Sequence, residues 1–493
     1  MTVFLGVDVG TSSTKGVLVD QDGNILRRAV RQHDILRPRP GWAEMDASVW
    51  WAEFVDITRE LLADATESPR AVGVSGMGPC VLVTDEDNVP LRPAILYGVD
   101  TRAVTQIARL TEELGAEAVL GRCGSLLSTQ AVGPKLAWIS EEEPELFARA
   151  RRLFMPASWL AFHLTGEYTL DHQSASQAVP LYDGIEQAWY QPWVDHIMPA
   201  LELPRLGWAT DVAGTVTAAA AEVTGLPAGT PVVMGTVDAW SEAASVDAHR
   251  VGDLMLMYGT TLFFVNTVSD RITHPALWGT MGALPGTRSL AAGMATSGAI
   301  TNWLRDLFGG VDFGTLTEEA RASGAGANGL LCLPYFSGER TPIADPNARG
   351  VLIGLTTSHT RGDLYRAALE ATALGVRHNI EAFRAAGGRI DRVVAVGGGT
   401  TGGLWTQIVS DVAGIEQVIP SNTIGASYGA ALFAAMSTTD VTAEAWNPPS
   451  VTVAPDASLK GRYDRLYELY LALYPATSSI QHALADTQSG NQA

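Results

Sequence analysis

The chain has 493 residues, 46% of them hydrophobic, and this length suits two domains of about 200–250 residues better than a single core. It carries 53 acidic and 33 basic side chains, a formal net charge of -20, so nucleic acid or an anionic membrane would be repelled. Three cysteines without a CxxC pair argue against disulfides and zinc, no apolar run approaches the roughly 20 residues of a membrane span, and no signal peptide is recognisable, so we expect a cytoplasmic protein.

The first predicted element is a hairpin. Residues 3–9 form an apolar run rich in valine, residues 10–14 are turn formers, and residues 16–19 are apolar again. This order predicts a strand, a tight turn and a second strand. It excludes a Walker-type loop, which joins a strand to a helix.

The turn of this hairpin carries groups that could hold phosphate. In GVDVGTSSTKG, residues 6–16, Gly10 permits a close turn whose hydroxyls lie beside exposed backbone N–H groups. Asp8 lies near the end of the first strand and could hold Mg²⁺ through water. A plain hairpin of ordinary turn residues explains the segment equally well on its own. The polar side chains concerned are those of Thr11, Ser12, Ser13 and Lys15.

Helical and extended segments then alternate, which is typical of an α/β protein. Residues 49–64 and 103–119 have helical spacing, whereas residues 71–74 and 80–84 are predicted strands around a glycine-rich stretch. The alternation predicts helices packed on a sheet.

Asp238 stands at the junction between a short predicted strand, residues 231–234, and a helix of small residues that begins at Ala239. A carboxylate there could take the proton of a hydroxyl that attacks a phosphate. Capping of the helix is the other interpretation, and taken alone it is the commoner role of an aspartate at such a position.

The second half of the chain repeats the opening pattern. Residues 254–258 and 262–265 are predicted strands on either side of Gly259-Thr260-Thr261, which is a second candidate phosphate clamp or a plain turn. The echo indicates a duplicated pair of similar domains with a boundary near residue 247. We therefore predict domains over 1–247 and 248–484 and a flexible polar tail over 485–493.

A glycine-rich stretch lies further along. Residues 392–396 are a predicted strand that runs into Gly397-Gly398-Gly399-Thr400, and helices are predicted over 404–412 and 425–435. Backbone without side chains could lie flat against an adenine or ribose. A flexible or tight connection is the commoner role of a triple glycine.

The most informative segment is GVLIGLTTSHTRGDLYRAALE, residues 350–370. It is similar to the second signature of the FGGY carbohydrate kinase family, and the chain as a whole resembles that family, its xylulose kinase (pentulose kinase) members most of all. The resemblance covers the chain from Val3 to about Ala435. Further segments that look like the family, in family order, are PGWAEMD (40–46), LRPAIL (91–96), PKLAWI (134–139), LTGEY (164–168) and LPYFSGERTP (333–342).

The resemblance implies an α/β fold of the actin-like, hexokinase-like type, with two duplicated ribonuclease-H-like domains and an ATP and sugar cleft between them. It also implies an ATP- and Mg²⁺-dependent carbohydrate kinase, with Asp238 as general base and Asp8 on the magnesium side. The residues implied for nucleotide binding are Thr11, Ser12, Ser13 and Lys15 in a first phosphate loop, Thr260 and Thr261 in a second, and Gly298, Asn302, Gly398, Gly399, Thr400 and Gly403 around the adenosine.

The sequence departs from the family where the sugar would bind. Xylulose kinases have a Gln-Met-His-Gly segment where this chain has Gly76-Met77-Gly78-Pro79, so one imidazole that could bond a sugar hydroxyl is missing. The Trp-Asn-Asp segment of the family corresponds to residues 97–102, with one additional residue. The residues expected to shape the choice of substrate are Met77, Gly78, Asp100 and Arg102. A surface ion pair is the alternative for the last two.

Several functions are compatible with these motifs. A kinase for a pentulose such as xylulose is preferred, and a kinase for a smaller polyol or tetrulose, such as erythritol, erythrulose or a glycerol-like compound, is the close alternative. A non-catalytic ATP-binding sensor of the same fold is the alternative from another class. A glycosidase that uses paired carboxylates explains none of the phosphate turns.

The expected partners are ATP and a small sugar or polyol, with no nucleic acid and no membrane. An apolar helix with tyrosines is predicted over residues 466–473. It could pack within its own chain or on a second subunit in a homodimer, and packing within the chain is favoured.

Overall fold

The computed structural model describes residues 2–490. They form two compact units: the first holds the chain up to Val251 together with Thr267–Ser289 and Ile424–Pro448, and the second holds the rest. The chain therefore enters the second unit close to the predicted boundary at residue 247. It differs from that prediction in returning twice to the first unit, so neither unit is one continuous stretch of sequence.

The strands of the chain vary from two residues to eight. In chain order they are Val3–Val9 (β1), Ser13–Asp20 (β2), Ile25–Gln32 (β3), Glu44–Met45 (β4), Pro69–Gly76 (β5), Leu82–Thr84 (β6), Ala94–Ile95 (β7), Arg152–Phe154 (β8), Thr169–Asp171 (β9), Tyr182–Asp183 (β10), Ala188–Trp189 (β11), Arg205–Gly207 (β12), Val212–Thr215 (β13), Pro231–Val233 (β14), Thr236–Val237 (β15), Asp253–Tyr258 (β16), Leu262–Val268 (β17), Trp278–Met281 (β18), Arg288–Met294 (β19), Leu331–Leu333 (β20), Val351–Ile353 (β21), Arg392–Val396 (β22), Gln417–Pro420 (β23) and Pro449–Val453 (β24).

The helices lie between these strands and at the end of the chain. In chain order they are Ala47–Leu62 (α1), Val104–Leu114 (α2), Ala116–Cys123 (α3), Val132–Glu142 (α4), Pro144–Phe147 (α5), Pro156–Thr165 (α6), His172–Ser176 (α7), Gln191–Ile197 (α8), Ala218–Thr224 (α9), Asp238–Ser245 (α10), Gly298–Leu307 (α11), Phe313–Ser323 (α12), Arg361–Ala385 (α13), Leu404–Ala413 (α14), Ala426–Met436 (α15), Ala443–Trp446 (α16) and Lys460–Gly490 (α17), with 3₁₀ turns at Ala327–Gly329, Gly398–Thr400 and Ala457–Leu459.

The sheet of the first unit is mixed, with its strands in the order β13, β14, β5, β1, β2 and β3. Strand β1 is antiparallel to β2 and parallel to β5, which is in turn parallel to β14. All seven residues of β1 are buried, as expected for a central strand that is covered on both faces and is therefore mostly apolar. The predicted strand over residues 3–9 is confirmed.

The sheet of the second unit repeats this plan, with strands β19, β17, β16, β22, β23 and β24 side by side in that order. Strand β16 is antiparallel to β17 and parallel to β22, and β22 is parallel to β23. In each unit a hairpin therefore lies beside two parallel strands. The predicted α/β fold of two related domains is confirmed, and the sheet of each domain is mixed.

Helix α15 explains why the chain returns to the first unit. It is built of small residues, ASYGAALFAAM, and it packs on β1 and β5 and against α10. Small side chains let its backbone approach the sheet closely, so this segment buries its surface in the first core although it follows the second sheet in sequence.

Three predicted helices have different limits in the structure. The helix expected over residues 103–119 is two helices, α2 and α3, because Gly115 between them has a φ of 80° that continues neither helix. The helix expected from Ala239 already includes Asp238. The last helix, α17, runs through residues 485–490, which were predicted to be a flexible tail, and residues 491–493 lie outside the described range.

Helix α17 includes the predicted apolar segment over residues 466–473. Tyr467, Tyr470 and Leu473 are buried, and the helix packs against α14 and β20 of its own unit. Packing within the chain, the favoured alternative, is observed. Within residues 2–490 we find no helix that is long and apolar enough to cross a membrane.

Candidate active site

Three strands of the first unit bring polar side chains to one edge of its sheet. Asp8, near the end of β1, lies opposite Lys15 of β2 and beside Ser75 of β5 in the strand register. The Ser75 hydroxyl donates a hydrogen bond of 2.8 Å to Asp8 Oδ1. Asp8 is only 7% exposed, so this hydrogen bond and the ammonium group of Lys15 are what stabilise its charge.

Asp238 reaches the same edge through β15. Thr236 and Val237 of that strand pair in parallel with Ser75 and Gly76 of β5, and Asp238 follows at once as the first residue of α10. The N-cap position is held by Val237, and Asp238 Oδ1 accepts a 2.7 Å hydrogen bond from the N–H of the next residue. Asp238 is therefore not the N-cap, and this hydrogen bond occupies only one oxygen of its partly exposed carboxylate.

The two aspartates have raised pKa values. Burial raises the pKa of Asp238 to about 6, against the opposing effects of the Ala239 N–H and Lys15. Burial, and after it the charge of Asp238, raises the pKa of Asp8 to about 7, against the hydrogen bond from Ser75 and the charge of Lys15. Asp238 is thus mainly ionised at neutral pH and is set close to the range that suits a general base.

Glu242 is a third carboxylate of this site that the sequence reasoning missed. It lies one helical turn after Asp238, and a Cβ added to Gly425 would come within 2.7 Å of its Oε2 atom. Burial, then the charges of Asp8 and Asp238, raise the pKa of Glu242 to about 8. The i, i+4 spacing of the two acids was the signal that could have revealed it.

We expect the Glu242→Gln variant to be more stable than the wild type above pH 8. The folded chain raises the pKa of this carboxyl from 4.5 to about 8, so its ionisation opposes folding fully above pH 8 and not at all below the pKa of the unfolded chain. A pKa difference of one corresponds to about 1.4 kcal/mol, so the gain should be about 5 kcal/mol at pH 9 and should vanish below about pH 4.5. Urea denaturation at both pH values measures it.

The exposed Glu468 supplies a matched control, because Glu468→Gln removes the same charge from a solvated helix face. We expect no pH-dependent difference in the free energy of unfolding for that variant. A pH-independent effect of Glu242→Gln would contradict the raised pKa.

The predicted phosphate turn connects β1 and β2. The Gly10 N–H donates to the Ser13 carbonyl at 3.0 Å, and the Thr11 hydroxyl lies 2.7 Å from the Tyr97 hydroxyl. Ser12 is exposed at the tip and Lys15 is exposed on β2, whereas Ser13 is buried. The structure thus places the predicted residues in one turn, and the site gains Tyr97, which the sequence reasoning did not assign to it.

His33 and Glu53 make further hydrogen-bond contacts with this turn. His33 Nε2 lies 3.0 Å from the Gly10 carbonyl, and its Nδ1 lies 2.9 Å from Glu53 Oε2. The same Glu53 oxygen accepts a 2.5 Å hydrogen bond from the Thr14 hydroxyl. His33 and Glu53 therefore fix both strand ends of the turn, a role that no local sequence motif indicates.

Met77 and Gly78 follow the end of β5. Met77 is fully buried and its N–H donates 2.8 Å to the Val9 carbonyl, so it packs beneath the phosphate turn. A Cβ added to Gly78 would come within 2.7 Å of Val237 Cγ2, where Val237 is the residue just before Asp238. Gly78 thus lies against the segment that positions the candidate base.

We expect Gly78→Ala to lower kcat/KM by about tenfold or more, because the added methyl group displaces Val237 and with it Asp238. The double variant Gly78→Ala, Val237→Ala removes the clash and should recover most of the lost activity. Steady-state kinetics of the two variants makes the comparison. Equal activity of Gly78→Ala and the wild type would show that the contact does not position the base.

Asp100 and Arg102 form a buried ion pair and not the surface ion pair of the alternative interpretation. Both side chains are fully buried, the guanidinium donates to both carboxylate oxygens, and Asp100 Oδ2 accepts 2.6 Å from the Ala43 N–H. Arg102 also donates to Glu44 at 2.6 Å and lies 4.0 Å over the Trp42 ring. Both side chains are buried and already bonded within the protein. The pair could therefore influence the choice of substrate only by holding the nearby backbone in place.

The second unit holds the second candidate phosphate turn at the end of β16. The Gly259 N–H donates to the Thr261 carbonyl at 3.0 Å, as in a tight hairpin. The Gly298 N–H, at the start of α11, donates to the Gly259 carbonyl, and a Cβ on Gly298 would lie 2.7 Å from that oxygen. Thr260 is exposed at the tip of the turn, and its carbonyl accepts from the Ser297 and Ala299 N–H groups.

The glycine-rich stretch lies beside this turn, since β22 pairs with β16 up to Met257 and Val396. Gly397 has a φ of 92°, and a Cβ there would meet the Tyr258 carbonyl at 2.5 Å, so the residue must be glycine. The predicted residues Gly398, Gly399 and Thr400 form a 3₁₀ turn after it.

The remaining predicted adenosine residues are on the surface of the second unit. Asn302 is exposed on α11, and Gly403 is the exposed N-cap of α14 with a φ of 72°. The predicted residues of the first phosphate turn thus lie together in the first unit, and those of the second turn and the glycine-rich stretch lie in the second unit. The roles of these residues stay predictions.

The donor set of the first unit fits Mg²⁺. Asp8 offers hard carboxylate oxygens, and Asp238 lies at the same sheet edge. Residues 2–490 contain no group of three or more His, Cys, Asp or Glu side chains that forms a metal cluster by itself. Magnesium commonly binds one or two carboxylates and takes its other ligands from water and substrate phosphates, so the single carboxylate of Asp8 suffices.

Comparison with known proteins agrees with this geometry. The N-terminal domain model of the FGGY family of carbohydrate kinases matches residues 3–244, and the C-terminal domain model matches residues 254–438. The chain is 27% identical to the xylulose kinase of Bacillus subtilis (strain 168), over 98% of this chain and 99% of the relative. It is 28% identical to the xylulose kinase of Escherichia coli (strain K12), over 88% and 89%. The crystal structure of xylulose kinase from Rhodospirillum rubrum superposes with a TM-score of 0.92 at 32% identity, covering 97% of this chain and all of that one.

Proposed function

The chain belongs to the FGGY family of carbohydrate kinases, and from this premise we propose that it transfers the γ-phosphoryl group of ATP to a hydroxyl of a pentulose, xylulose being the preferred candidate. One observation carries the catalytic assignment. Asp238, with a pKa of about 6, stands at the same sheet edge as Asp8, Lys15 and the phosphate turn. The identity with xylulose kinases over nearly the whole chain supports the choice of acceptor.

Each residue of the first unit then has a task. Asp238 orients the acceptor hydroxyl and takes its proton as the oxygen attacks phosphorus. The N–H groups of the phosphate turn and the Lys15 ammonium hold phosphate oxygens and offset their charge. Asp8 would hold Mg²⁺, and the ion, when bound with ATP, would offset the negative charge of the phosphates.

In the second unit, the turn at Thr260 and Thr261 would contact phosphate, and the backbone at Gly398 and Gly399 would lie against the adenosine. The tightness of both turns supports this, because glycine at these positions lets backbone N–H groups face a ligand without side chains in the way. Asn302 and Gly403 complete the proposed nucleotide site.

The glycine at position 78 supports a second candidate, an acceptor smaller than a pentulose. A glycine at this position removes the imidazole that the xylulose kinase segment offers to a sugar hydroxyl, and Val237 lies directly against it. A site with one hydrogen-bonding group fewer discriminates less against an acceptor that lacks the corresponding hydroxyl. A tetrulose such as erythrulose or a polyol such as erythritol is therefore the second candidate.

A coupled assay of ADP release tests the proposal. The acceptors are D- and L-xylulose, D- and L-ribulose, erythrulose, erythritol, xylitol and glycerol, each with and without Mg²⁺. We expect one pentulose to give the highest kcat/KM, and no turnover without Mg²⁺. A higher kcat/KM for erythrulose or erythritol would assign the smaller acceptor, and nucleotide binding with no turnover on any compound would favour a sensor.

A further inference from the structure

The two-residue strand that precedes Asp238 is tied to a buried carboxylate elsewhere in the first unit. Thr236 of β15 is fully buried, and its hydroxyl donates a 2.7 Å hydrogen bond to Asp171 Oδ2. Asp171 is the last residue of β9 and the N-cap of α7, 65 positions before Thr236 in the chain. The bond therefore joins β15 to a separate part of the fold, and neither residue belongs to the kinase assignment.

The acceptor of this bond is a carboxylate with several donors. Asp171 is 2% exposed, and the same Oδ2 atom accepts from the N–H groups of Gln173 at 3.1 Å and Ser174 at 3.2 Å. Burial raises the pKa of Asp171 to about 6, against the hydrogen bonds from Ser174, Thr236 and the Gln173 N–H. Asp171 is therefore mainly ionised at neutral pH, and hydrogen bonds to an ionised group are roughly twice as strong as those between neutral groups.

Capping of α7 does not explain the contact with Thr236. The two N–H groups already satisfy the start of that helix, as in an ordinary N-cap. The Thr236 hydroxyl reaches the same oxygen from another strand, so it adds a connection that the cap does not need. Capping therefore accounts for Asp171, but not for a hydroxyl bonded to it two residues before the candidate base.

Gln173 makes Thr236 part of a small network. Its Oε1 atom lies 3.1 Å from Thr236 Oγ1, and its Nε2 atom is buried without an acceptor among residues 2–490. A threonine hydroxyl has one proton, which here goes to Asp171, while its oxygen can still accept a hydrogen bond. Rotation of the Gln173 amide by half a turn lets Nε2 donate to that oxygen and removes the unsatisfied donor. The Thr236 hydroxyl then donates to Asp171 and accepts from Gln173, and both contacts fix its position.

Strand β15 is too short to be fixed by its sheet alone. It consists of Thr236 and Val237, and among residues 2–490 its sheet partner is β5, where Thr236 lies opposite Ser75. A ladder of two residues supplies only a few backbone hydrogen bonds. On its other side β15 packs against α7, the helix that Asp171 caps. The bond between Thr236 and Asp171 is thus a large share of the polar contacts that hold the segment from which Asp238 follows.

We propose that Thr236 and Asp171 are positioning residues: their hydrogen bond fixes β15 and thereby the place from which Asp238 reaches the acceptor hydroxyl. Their role rests on the proposed function, in which Asp238 takes the proton of that hydroxyl. Proton transfer and in-line attack need a narrow range of distances and angles, and a displacement of about 1 Å can cost about 100-fold in rate. Both side chains are buried and do not contact the substrate, so the effect should fall on kcat and not on KM.

Steady-state kinetics of Thr236→Val tests the proposal, with the acceptor that gives the highest kcat/KM in the ADP-release assay. Valine has nearly the same shape as threonine and lacks the hydroxyl. We expect kcat to fall by about 10- to 100-fold, and the KM values for ATP and for the acceptor to stay within about threefold of the wild type. Thr236→Ser keeps the hydroxyl and should retain at least about a third of the wild-type kcat. A loss that is confined to kcat and restored by serine indicates positioning and not general destabilisation.

Thr58→Val is the matched control. Thr58 is fully buried in α1, and its Oγ1 has no hydrogen-bond partner among residues 2–490. The same substitution there removes a hydroxyl that bonds to nothing, so kcat should equal that of the wild type. An equal loss of kcat in Thr58→Val would overturn the proposal, because the effect would then not depend on the contact with Asp171.

Crystal structures of the wild type and of Thr236→Val supply a readout that needs no turnover. We expect the Asp238 carboxylate to be displaced by about 1 Å in Thr236→Val and to keep its place in Thr236→Ser. A wild-type kcat in Thr236→Val, or a reduced kcat with Asp238 in its original place, would overturn the proposal. If the wild type turns over no acceptor, the proposed function fails, and the displacement of Asp238 alone decides whether Thr236 positions it.

Circular dichroism checks that each variant is folded. If Thr236→Val does not fold because Asp171 keeps its charge without the hydroxyl donor, Asp171→Asn is added to it. The asparagine oxygen can still cap α7, the buried charge is gone, and the bond to residue 236 is still absent. The double variant should therefore show the same loss of kcat, and a wild-type kcat in it would contradict the positioning role.

Discussion

The Asp238→Asn variant should lose at least about 10³-fold in kcat while it still binds ADP. Asparagine has the same shape and can accept the Ala239 N–H hydrogen bond, but it cannot take a proton from the acceptor hydroxyl. The phosphate turn and Lys15 are untouched, so nucleotide affinity should change little. Coupled ADP release measures kcat, and calorimetric titration with ADP measures affinity.

The same variant has a second expected property. Because burial raises the pKa of Asp238 to about 6, its ionised form opposes folding above that pH, and removing the charge should leave the protein at least as stable at pH 8. The matched control is Asp87→Asn, an exposed aspartate of the first unit that should keep wild-type turnover. Turnover of Asp238→Asn within tenfold of the wild type would show that another group is the base, and loss of ADP binding would indicate a structural role.

The core strands of the site were predictable from the sequence because their signal is local. Strand β1 is a continuous apolar run, the turn after it is rich in small polar residues, and the same order recurs at β16 and β17. Periodicity and turn chemistry suffice for such hairpins. Asp8 and Asp238, however, are 230 positions apart. From the sequence, only the family resemblance placed them in one site, whereas in the structure the pairing of β1 and β15 with β5 brings them to one sheet edge.

The residues that support the site were not predictable, because their contacts are set by the tertiary fold. Ser75 meets Asp8 only through the parallel pairing of β1 with β5. His33, just after β3, and Glu53 of α1 contact each other next to the phosphate turn, and neither belongs to a recognisable motif. Asp100 and Arg102 had the spacing of an ordinary surface pair, and residues distant in sequence, Trp42 and Glu44 among them, pack around the pair.

The return of residues 424–448 to the first unit could not be predicted from the sequence, and this segment contacts the elements that carry the proposed catalytic residues. Helix α15 begins at Ala426, whose carbonyl accepts 2.8 Å from the Ser241 hydroxyl of α10 and 3.4 Å from the Ser75 hydroxyl of β5. Those two elements carry Asp238 and the serine that bonds Asp8. The spacing between α15 and its neighbours therefore fixes the positions of both aspartates.

That spacing depends on glycine. A Cβ added to Gly73 of β5 would lie 1.8 Å from the Ala430 carbonyl oxygen, one on Gly6 of β1 would lie 2.1 Å from the Ser427 carbonyl oxygen, and one on Gly429 of α15 would lie 1.9 Å from the Ser241 carbonyl oxygen. In each case the obstacle is backbone, which cannot rotate away as a side chain can. A single methyl group on Gly6 or Gly73 must push α15 off the sheet, and one on Gly429 must push it away from α10.

We therefore expect Gly73→Ala to destabilise the first unit by about 3 kcal/mol, the upper end of what overpacking a core costs. Thermal unfolding should begin about 10 °C lower, and urea unfolding followed by tryptophan fluorescence should show the same loss. Activity should fall more than the folded fraction does, because the displaced helix also moves Ser75 and Ser241.

Gly121→Ala is the matched control for this prediction. Gly121 lies within α3, and an added Cβ there meets no atom within 4 Å, so the methyl group restricts only the unfolded chain and should stabilise by about 0.5–1 kcal/mol. If the free energy of unfolding falls for Gly73→Ala and rises for Gly121→Ala, the loss comes from the clash with α15 and not from replacing a glycine as such. If Gly73→Ala instead unfolds within 0.5 kcal/mol of the wild type, α15 can move away from β5 at little cost, and close packing of that helix does not set the positions of Asp8 and Asp238.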